Sequence, residues 1–565
     1  MNRSRQTGLD VALVVAMFTI VVSWFTTSWL GPKALLVLVT ITVLAGLAVI
    51  RPKISLRRPH TSTLVVCALG IVLRAPAFIE PSGFVGSDGS LQAMLVNGIL
   101  GGVRPAPVFL ETSTYQGSLK AHLGALASLA LGRDDLALLV VVASTGLWTL
   151  FTASLMALGR RLGGTVPAVG AGLFVALSPR FATIFSISNV GEYPDALGLG
   201  MLAMAWTAKI LAEDRSGFET RWTFFGIGWL LGVAFWQQPI VVSSGAVVFG
   251  FLGLRALLRR DPWFLASVVG AVLGRLPVTI HDLHAVSGND QVLGGFLRTA
   301  GQSLPFIDHI KGTLGWAFPV VFTGLANDST LEQWARVAIG LGCTAVFVWF
   351  ALRAAGELKE AYRTRSWQTV RVMGALSFIA ALGFVWLVAG GGQYTRPRYF
   401  LSLLPGFTLA LGDLAGVLWR RWRPLALAAG VVIIGSNAWS NLERMRSGLA
   451  AGREARALAT RIEELHLQTG YSSVTFAGPL IMLTHERVSV DGVLKTEEGQ
   501  RLPARHVGRV RTQGPDFYLV DPLDAADLAR RLESKGVSFK REGSPLPQVL
   551  FYGFSRRVVL SEVQQ

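Results

Sequence analysis

The stretch GFVGSDGS, residues 83–90, holds an isolated acid, Asp88, among glycine and serine residues. These residue types are typical of a turn, because glycine adopts unusual backbone angles and Asp and Ser bond nearby N–H groups. An acid at such a place could also act as a general base that removes a proton from a hydroxyl group. The local sequence therefore leaves two interpretations of Asp88, a turn residue or a chemical group.

A second polar segment is SNVGEYPDA, residues 188–196, which carries Glu192 and Asp195. Asp195 follows a proline, and this order is typical of the first turn of a helix, where an acid interacts favourably with the helix dipole. A helix start explains Glu192 less well. Glu192 is therefore the better candidate for a functional acid.

A third polar segment is GGQYTRPRYF, residues 391–400, in which Arg396 and Arg398 lie between Tyr394 and Tyr399. The guanidinium group binds phosphate in a bidentate manner, and tyrosine is a common anchor at membrane interfaces. The alternative is a pair of arginines whose long side chains reach the membrane surface beside an aromatic belt.

Other charged groups near apolar runs have simpler interpretations. The side chain of Arg74 is interpreted as reaching the membrane surface from the end of a run. His281, Asp282 and His284 have a spacing that could supply metal ligands, but no further strong ligand is near them in the sequence. We interpret them as interfacial residues and predict no metal site.

The composition indicates a membrane protein that crosses the bilayer many times. Apolar residues make up 51% of the 565 residues, charged residues only 15%, and the mean hydropathy is +0.48. Soluble domains usually carry about 25% charged residues. Apolar runs of the length that crosses a bilayer recur along most of the chain. About thirteen spans are predicted, at 10–30, 34–50, 62–79, 136–158, 165–185, 196–212, 222–238, 239–257, 262–280, 334–353, 372–390, 399–418 and 424–438.

Lysine and arginine predict the orientation, because they are concentrated in connections on one side, which is the cytoplasmic side under the positive-inside rule. The N-terminus is then cytoplasmic in a bacterial-type plasma membrane. The long connections 80–135 and 281–333 and the C-terminus lie outside. The net charge of +17 is explained mainly by this asymmetry. The predicted partners are therefore membrane lipids, and no nucleic-acid partner is predicted.

Residues 439–565 are predicted to form a small extracytoplasmic α/β domain, separate from the all-α transmembrane domain at 1–438. SSVTFAG, DFYLVD and QVLFYGF are predicted strands, and DAADLARRLESKG is a predicted helix with an Asp cap. The outer connection 80–135 is also predicted to be ordered, with short helices along the membrane surface. It contains Lys120 and His122, and His122 either faces a site or lines the connection.

Residues 73–132 contain an ordered series of features. An apolar run ends in Leu-Arg, and the acid Asp88 follows it. A predicted helix then leads to GGVRP. The segment YQGSL, which begins with Tyr115, precedes a second predicted helix that ends at Leu-Gly. With SNVGEYPDA, GVAFWQQP and QYTRPRYFLSLLP, this pattern resembles the C-superfamily integral-membrane glycosyltransferases of the GT-C fold. Bacterial aminoarabinose and protein O-mannosyl transferases belong to this family. Many relatives have Asp-Glu at the catalytic position, where this chain has Asp88 and Gly89.

The resemblance implies transfer of a sugar from a polyprenyl-phosphate donor to an acceptor hydroxyl of a lipid, glycan or protein, with inversion. Asp88 would be the general base, and Arg396 and Arg398, assisted by Lys120, would stabilise the leaving phosphate. No cofactor is required, although Glu192 could hold a divalent cation. The remaining candidate substrate-binding residues are Tyr115, His122, Glu192 and Tyr394.

Two other functions remain open from the sequence. A transporter or lipid flippase has buried polar groups at mid-membrane and often repeated halves, whereas here polar residues gather on one side. A polysaccharide polymerase or ligase also has many spans and a large external loop, but would use diphosphate-linked glycans.

Overall fold

The computed structural model of the protein describes residues 59–102, 117–187, 191–213, 220–284, 305–323, 333–364, 370–388, 397–492, 504–544, 548–556 and 558. Helices dominate this part of the chain. They are α1 (Pro59–Leu73), α2 (Ala75–Ile79), α3 (Ser87–Leu100), α4 (Leu119–Leu131), α5 (Leu136–Gly163), α6 (Thr165–Ala176), α7 (Arg180–Ile187), α8 (Tyr193–Glu213), α9 (Thr220–Gln237), α10 (Val242–Arg259), α11 (Phe264–His284), α12 (Phe306–Gly312), α13 (Phe318–Thr323), α14 (Gln333–Thr364), α15 (Val370–Val388), α16 (Leu404–Arg421) and α17 (Arg423–Glu464). Short 3-10 segments are Pro81–Gly83, Pro239–Val241 and Pro397–Leu403, and Thr313–Ala317 is a π-helix.

Seven of the described helices are long and apolar enough to cross a membrane, or eight if the bent pair α6 and α7, which meet at 73°, is one span. This confirms a helical multi-span protein and does not confirm a count of about thirteen. The predicted spans 10–30 and 34–50 lie outside the described residues. The predicted runs 222–238 and 239–257 are separate helices, α9 and α10, joined by a 3-10 turn.

A buried ion pair joins three helices at the end of the bundle that the charge pattern predicts to be cytoplasmic. Arg371 of α15 donates from Nε and Nη2 to the two carboxylate oxygens of Asp413 on α16, at 2.9 Å each. The same Nη2 donates to the carbonyl of Leu162 in α5 at 2.8 Å. Because a buried charge is costly unless it is paired and hydrogen-bonded, the pair favours one arrangement of α5, α15 and α16.

Arg74 does not reach the membrane surface, as interpreted from the sequence, because its side chain is only 1% exposed. Its Nη1 donates to the carbonyl oxygens of Gly70 at 2.7 Å and Ala176 at 2.9 Å, and its Nε donates to Oγ of Ser186 at 2.8 Å. Gly70 and Ala176 belong to the last turns of α1 and α6, where the helix dipole favours a cation. Arg74 therefore links α1, α6 and α7.

The C-terminal residues form the predicted α/β domain. Its sheet has the order β2–β1–β3–β5–β4, with β2, β1 and β3 parallel and β5 antiparallel to β3 and β4. The strands are β1 (Thr469–Tyr471), β2 (Ser489–Asp491), β3 (Phe517–Val520), β4 (Lys540–Gly543) and β5 (Val549–Tyr552), and the helices are α18 (Val474–Leu483), α19 (Ala504–Gln513) and α20 (Pro522–Ser534).

The predicted strands DFYLVD and QVLFYGF and the predicted helix DAADLARRLESKG are confirmed as β3, β5 and α20. The predicted strand SSVTFAG is wrong, because α18 covers most of it. Its Val and Thr favour a strand locally, but Ala477 and Ile481, one helical turn apart, are both fully buried. Burial of this helical face therefore outweighs the local propensity.

Helix α17 crosses the predicted domain boundary at residue 438 without a break. In its first half, Trp439 is 74% exposed, as expected for a helix that faces lipid, whereas Leu458 and Ile462 in its second half are fully buried against the C-terminal domain. One helix therefore contributes to both parts of the protein.

Candidate active site

Asp88 lies in the first turn of α3, which begins at Ser87. Gly86 is the N-cap residue, in an extended conformation, and no side chain caps this helix. An acid in the first turn interacts favourably with the positive end of the helix dipole. GFVGSDGS is therefore the start of a helix rather than only a turn, and Asp88 is partly buried there.

Gln92 lies one turn after Asp88, so the two side chains project from the same face of α3. Gln92 is fully buried. Its Nε2 donates to Oε1 of Glu192 at 2.8 Å and to the carbonyl oxygen of Gly117 at 3.3 Å. The face of α3 that carries Asp88 therefore points towards the start of α8 and the residues that precede α4.

Lys120, Glu192 and Asp195 form an ionic cluster whose side chains are all 0% exposed. The Nζ of Lys120 lies 2.8 Å from Oε2 of Glu192 and 3.3 Å from Oδ1 of Asp195. Burial raises the pKa of Glu192 to about 8, against the opposing effect of Lys120. The physical reason is that one ammonium group does not neutralise two carboxylates that are removed from water.

The sequence predicted Lys120 and Glu192 as separate site residues and Asp195 as a helix-start residue. Asp195 is indeed in the first turn of α8, but its carboxylate also belongs to the cluster. The signal in the sequence was the presence of two acids, three residues apart, before a run that is otherwise apolar. Their partner, Lys120, lies in a different polar connection, and only the fold brings it to them.

Gln237 connects the end of α9 to the start of α4. Its side-chain Oε1 accepts from the backbone N–H of Leu119 at 3.2 Å, and its carbonyl oxygen accepts from the N–H of Gly117 at 3.3 Å. Gln237 and Gln238 are both fully buried. Sequence analysis did not select either residue or Gln92, although GVAFWQQP was among the motifs that carried the family resemblance.

Several buried polar atoms around this cluster make no hydrogen bond among the described residues. They are Oε1 of Gln92, Nε2 of Gln237, and both Oε1 and Nε2 of Gln238. Most buried polar groups in proteins are satisfied, and an unsatisfied one costs about 1–3 kcal/mol. Such atoms beside an ionic cluster are available to bind a polar ligand.

Arg398 lies in the 3-10 segment Pro397–Leu403, which packs against the segment that follows Gln238, Pro239–Val241. The guanidinium group of Arg398 lies 5.4 Å from the ring centre of Tyr399. That ring contacts the ring of Tyr193, with centres 6.4 Å apart. Since Tyr193 follows Glu192 directly, the fold brings the segment with Arg398 to the same end of the bundle as the cluster.

The remaining predicted residues have different outcomes. His122 is partly buried, and its Nδ1 lies 2.8 Å from the carbonyl oxygen of Ser118, one turn earlier in the same helix. Burial lowers the pKa of His122, so the ring is neutral at pH 7 and donates this bond. Tyr115, Tyr394 and Arg396 lie outside the described residues.

No group of three or more His, Cys, Asp or Glu side chains suited to a metal ion occurs in the part of the chain that the structure describes. Within the spacing HDLH, Asp282 pairs with Arg275 at 3.3 Å, and the side chains of the two histidines lie outside the described part. At the cluster, Lys120 occupies the position between Glu192 and Asp195 that a bound cation would need. These residues therefore do not fit a metal ion.

No protein-family model and no curated protein matches the sequence. Solved structures do match. One is the crystal structure of ArnT from Cupriavidus metallidurans bound to undecaprenyl phosphate, with a TM-score of 0.52 and 14% identity over 86% of this chain and 97% of that chain. Another is the oligosaccharyltransferase of Archaeoglobus fulgidus in complex with Zn and sulfate, with a TM-score of 0.46 and 13% identity over 89% and 73% of the two chains.

The likeness to ArnT covers 86% of this chain and 97% of that chain. At 14% identity, it establishes the fold. It confirms the fold that the sequence motifs implied, a GT-C-like fold shared with ArnT.

Proposed function

We propose that this protein is a membrane glycosyltransferase that moves a sugar from a polyprenyl-phosphate donor to a hydroxyl group of a lipid, glycan or protein acceptor. The observation that carries the proposal is the position of Asp88 one turn from Gln92, which is hydrogen-bonded to the buried Glu192 of the ionic cluster. The fold likeness to ArnT, whose crystal structure is bound to undecaprenyl phosphate, supports this class of donor.

Asp88 is the general base in this proposal. It removes the proton of the acceptor hydroxyl, and the oxygen attacks the anomeric carbon of the donor sugar. The bond from that carbon to the phosphate oxygen breaks, and polyprenyl phosphate leaves with the bonding electrons. One displacement inverts the anomeric centre. Partial exposure gives Asp88 access to an acceptor, whereas the fully buried Glu192 and Asp195 both pair with Lys120.

The departing phosphate gains negative charge and needs a fixed positive charge nearby. Lys120 is already paired with Glu192 and Asp195, so it contributes less than the sequence predicts. In this proposal Arg398 supplies the net positive charge together with Arg396, which is two residues earlier in the sequence. The carboxamides of Gln92, Gln237 and Gln238 supply donors and acceptors for sugar hydroxyls. No step requires a metal ion.

The proposed orientation places the site and the C-terminal domain on the outer side of a bacterial-type plasma membrane. The distribution of lysine and arginine supports this orientation. The site, α3 and the C-terminal domain all lie at one end of the bundle, because α3 contacts both the cluster and α18. A substrate whose lipid lies among the spans would present its phosphate and sugar at that end.

The test is transfer by the purified protein in lipid nanodiscs, with radiolabelled sugars on polyprenyl monophosphate and, in parallel, on polyprenyl diphosphate. We expect transfer from the monophosphate donor only, with Asp88→Asn lowering the rate at least about 1000-fold, a range consistent with loss of a general base. Asp134→Asn is the matched control, because Asp134 is an exposed acid of the same connection.

Use of the diphosphate donor alone would instead indicate a polymerase or ligase. Full activity of Asp88→Asn would show that another group removes the proton. Uptake of a labelled solute into vesicles without any glycosylated product would indicate a transporter.

A further inference from the structure

The helix that carries Asp88 is part of the hydrophobic core of the C-terminal domain. Leu91 and Met94 of α3 are buried in one cluster with Leu480 of α18, Phe517 of β3 and Leu550 of β5. Met94, two residues from Gln92, projects from the opposite side of α3, so α3 lies between the ionic cluster and the C-terminal sheet. The C-terminal domain is therefore built partly from a helix of the membrane domain's long connection.

The contact between α18 and α3 is closest at the first turn of α3. A Cβ atom at Gly478 of α18 would collide with Oγ of Ser90, and it would lie 3.4 Å from Cβ of Ser90 and 3.5 Å from the carbonyl oxygen of Ser87. A methyl group at residue 478 therefore requires the Ser90 hydroxyl to move, whereas the other two distances are ordinary van der Waals contacts. Ser90 is two residues from Asp88, so the backbone of α18 lies directly against the turn that holds the acid.

A second contact lies two turns further along α3. Nδ2 of Asn97 donates to Oε1 of Glu486 at 2.8 Å. The other carboxylate oxygen of Glu486 lies 3.1 Å from Nε2 of His506, whose Nδ1 lies 3.1 Å from Oγ of Ser489 in β2. The turn after α18 therefore holds the far end of α3, and the sheet domain in turn holds Glu486.

These contacts lie at the start of α3. The first N–H groups of a helix have no intrahelical partner, and the N-cap residue Gly86 has no side chain to bond them. The Oγ of Ser90 donates backwards to the carbonyl of Ser87. The backbone of α18 is therefore a direct neighbour of this turn and contributes to its position.

We propose that α18 and the turn after it are a positioning element for the transfer reaction and that Gly478 and Glu486 are its positioning residues, which together place Asp88 at the site. The proposal rests on the proposed function. It predicts that the C-terminal domain is needed for the rate of the chemical step and not only for binding of an acceptor. A displacement of about 1 Å at a reacting group can lower a rate about 100-fold, so one added methyl group is a sufficient perturbation.

The test compares Gly478→Ala with Gly508→Ala. Both glycines lie in helices of the C-terminal domain, but a Cβ at Gly508 would meet nothing within 4 Å. We expect Gly478→Ala to lower kcat at least about tenfold, with the KM for the donor within about twofold of wild type. Gly508→Ala should keep wild-type kinetics. Ser90→Ala in the Gly478→Ala background removes the colliding oxygen and should restore most of kcat.

The second arm exchanges the hydrogen-bond donor and the hydrogen-bond acceptor at the contact between Asn97 and Glu486. Asn97→Asp places two carboxylates face to face and should lower kcat, whereas Asn97→Asp with Glu486→Gln restores a hydrogen bond in the opposite direction and should recover it. This arm also decides the proposal if Gly478→Ala does not fold. Wild-type kcat in folded Gly478→Ala, or no recovery in either double variant, overturns the proposal.

Hydrogen exchange separates this inference from the proposed function. We expect amides of residues 87–100 to exchange faster in Gly478→Ala and Asn97→Asp, and to return towards wild-type rates in the two double variants. If the wild-type protein transfers no sugar, the proposed function is wrong, and the exchange of α3 alone decides whether α18 positions it. Unchanged exchange in both single variants overturns the inference.

Discussion

Gln92 donates from Nε2 to Oε1 of Glu192 at 2.8 Å, across 100 residues of sequence. This bond joins the helix that bears Asp88 to the buried pair of Glu192 and Lys120. The proposed general base at the start of one helix and an ionic cluster between two others are thereby held as one unit.

Loss of the Gln92 amide should lower transfer. Gln92→Leu leaves a buried oxygen of Glu192 without this donor, at a cost of about 1–3 kcal/mol, so kcat/KM should fall about five- to hundredfold. Gln513→Leu, at an exposed glutamine of α19, is the control and should be neutral. Steady-state kinetics in nanodiscs measures both, and unchanged kcat/KM in Gln92→Leu would show that this bond does not organise the site.

The affinity for the donor should depend on pH through Glu192. Burial raises the pKa of Glu192 to about 8, so the acid is protonated below that pH and ionised above it. Ionisation adds one negative charge to the cluster, which disfavours the donor phosphodiester. The KM for the donor should therefore rise as the pH passes about 8.

Glu192→Gln removes this titration and should flatten the profile of donor KM against pH, while keeping an oxygen that accepts from Gln92. The measurement is donor KM at several pH values for both proteins. A rise in donor KM that is the same in Glu192→Gln as in wild type would assign the titration to another group.

Arg398 should act on the donor more than on the acceptor. Arg398→Ala removes a charge beside the cluster and should raise donor KM and lower kcat, together at least about tenfold in kcat/KM for the donor, because charge on the leaving phosphate is no longer offset. Acceptor KM should change less than about twofold. Arg446→Ala, at an exposed arginine of α17, is the matched control. A larger effect on acceptor KM than on donor kinetics would remove Arg398 from the phosphate site.

Arg74 should matter for stability rather than for chemistry. Arg74→Met leaves the carbonyl oxygens of Gly70 and Ala176 without this donor, and each unsatisfied buried group costs about 1–3 kcal/mol. The midpoint of thermal unfolding in detergent should fall by several degrees, and the change at exposed Arg133→Met should be negligible. An unchanged midpoint in Arg74→Met would mean that α1, α6 and α7 are held by their apolar contacts alone.

The amino-acid sequence by itself determined the features that depend on local composition. Long apolar runs define a membrane protein, charge asymmetry predicts its orientation, and alternating or helical spacing predicts β3, β5 and α20. Asp88, Glu192 and Arg398 were predicted as site residues because each lies in a short polar segment beside long apolar runs, within motifs that resemble a known family. These inferences need only the solvation of single segments, which is why they can be made without coordinates.

The tertiary structure alone decided the pairing of the charges and the packing of α3. Lys120 meets Glu192 and Asp195, and Arg74 meets the ends of three helices, because a buried charge must find partners wherever the fold supplies them. Residues 474–483 form a helix because one face of it is buried against α3, with Gly478 at the point of closest approach. Such long-range burial is a property of the folded chain, and no local pattern encodes it.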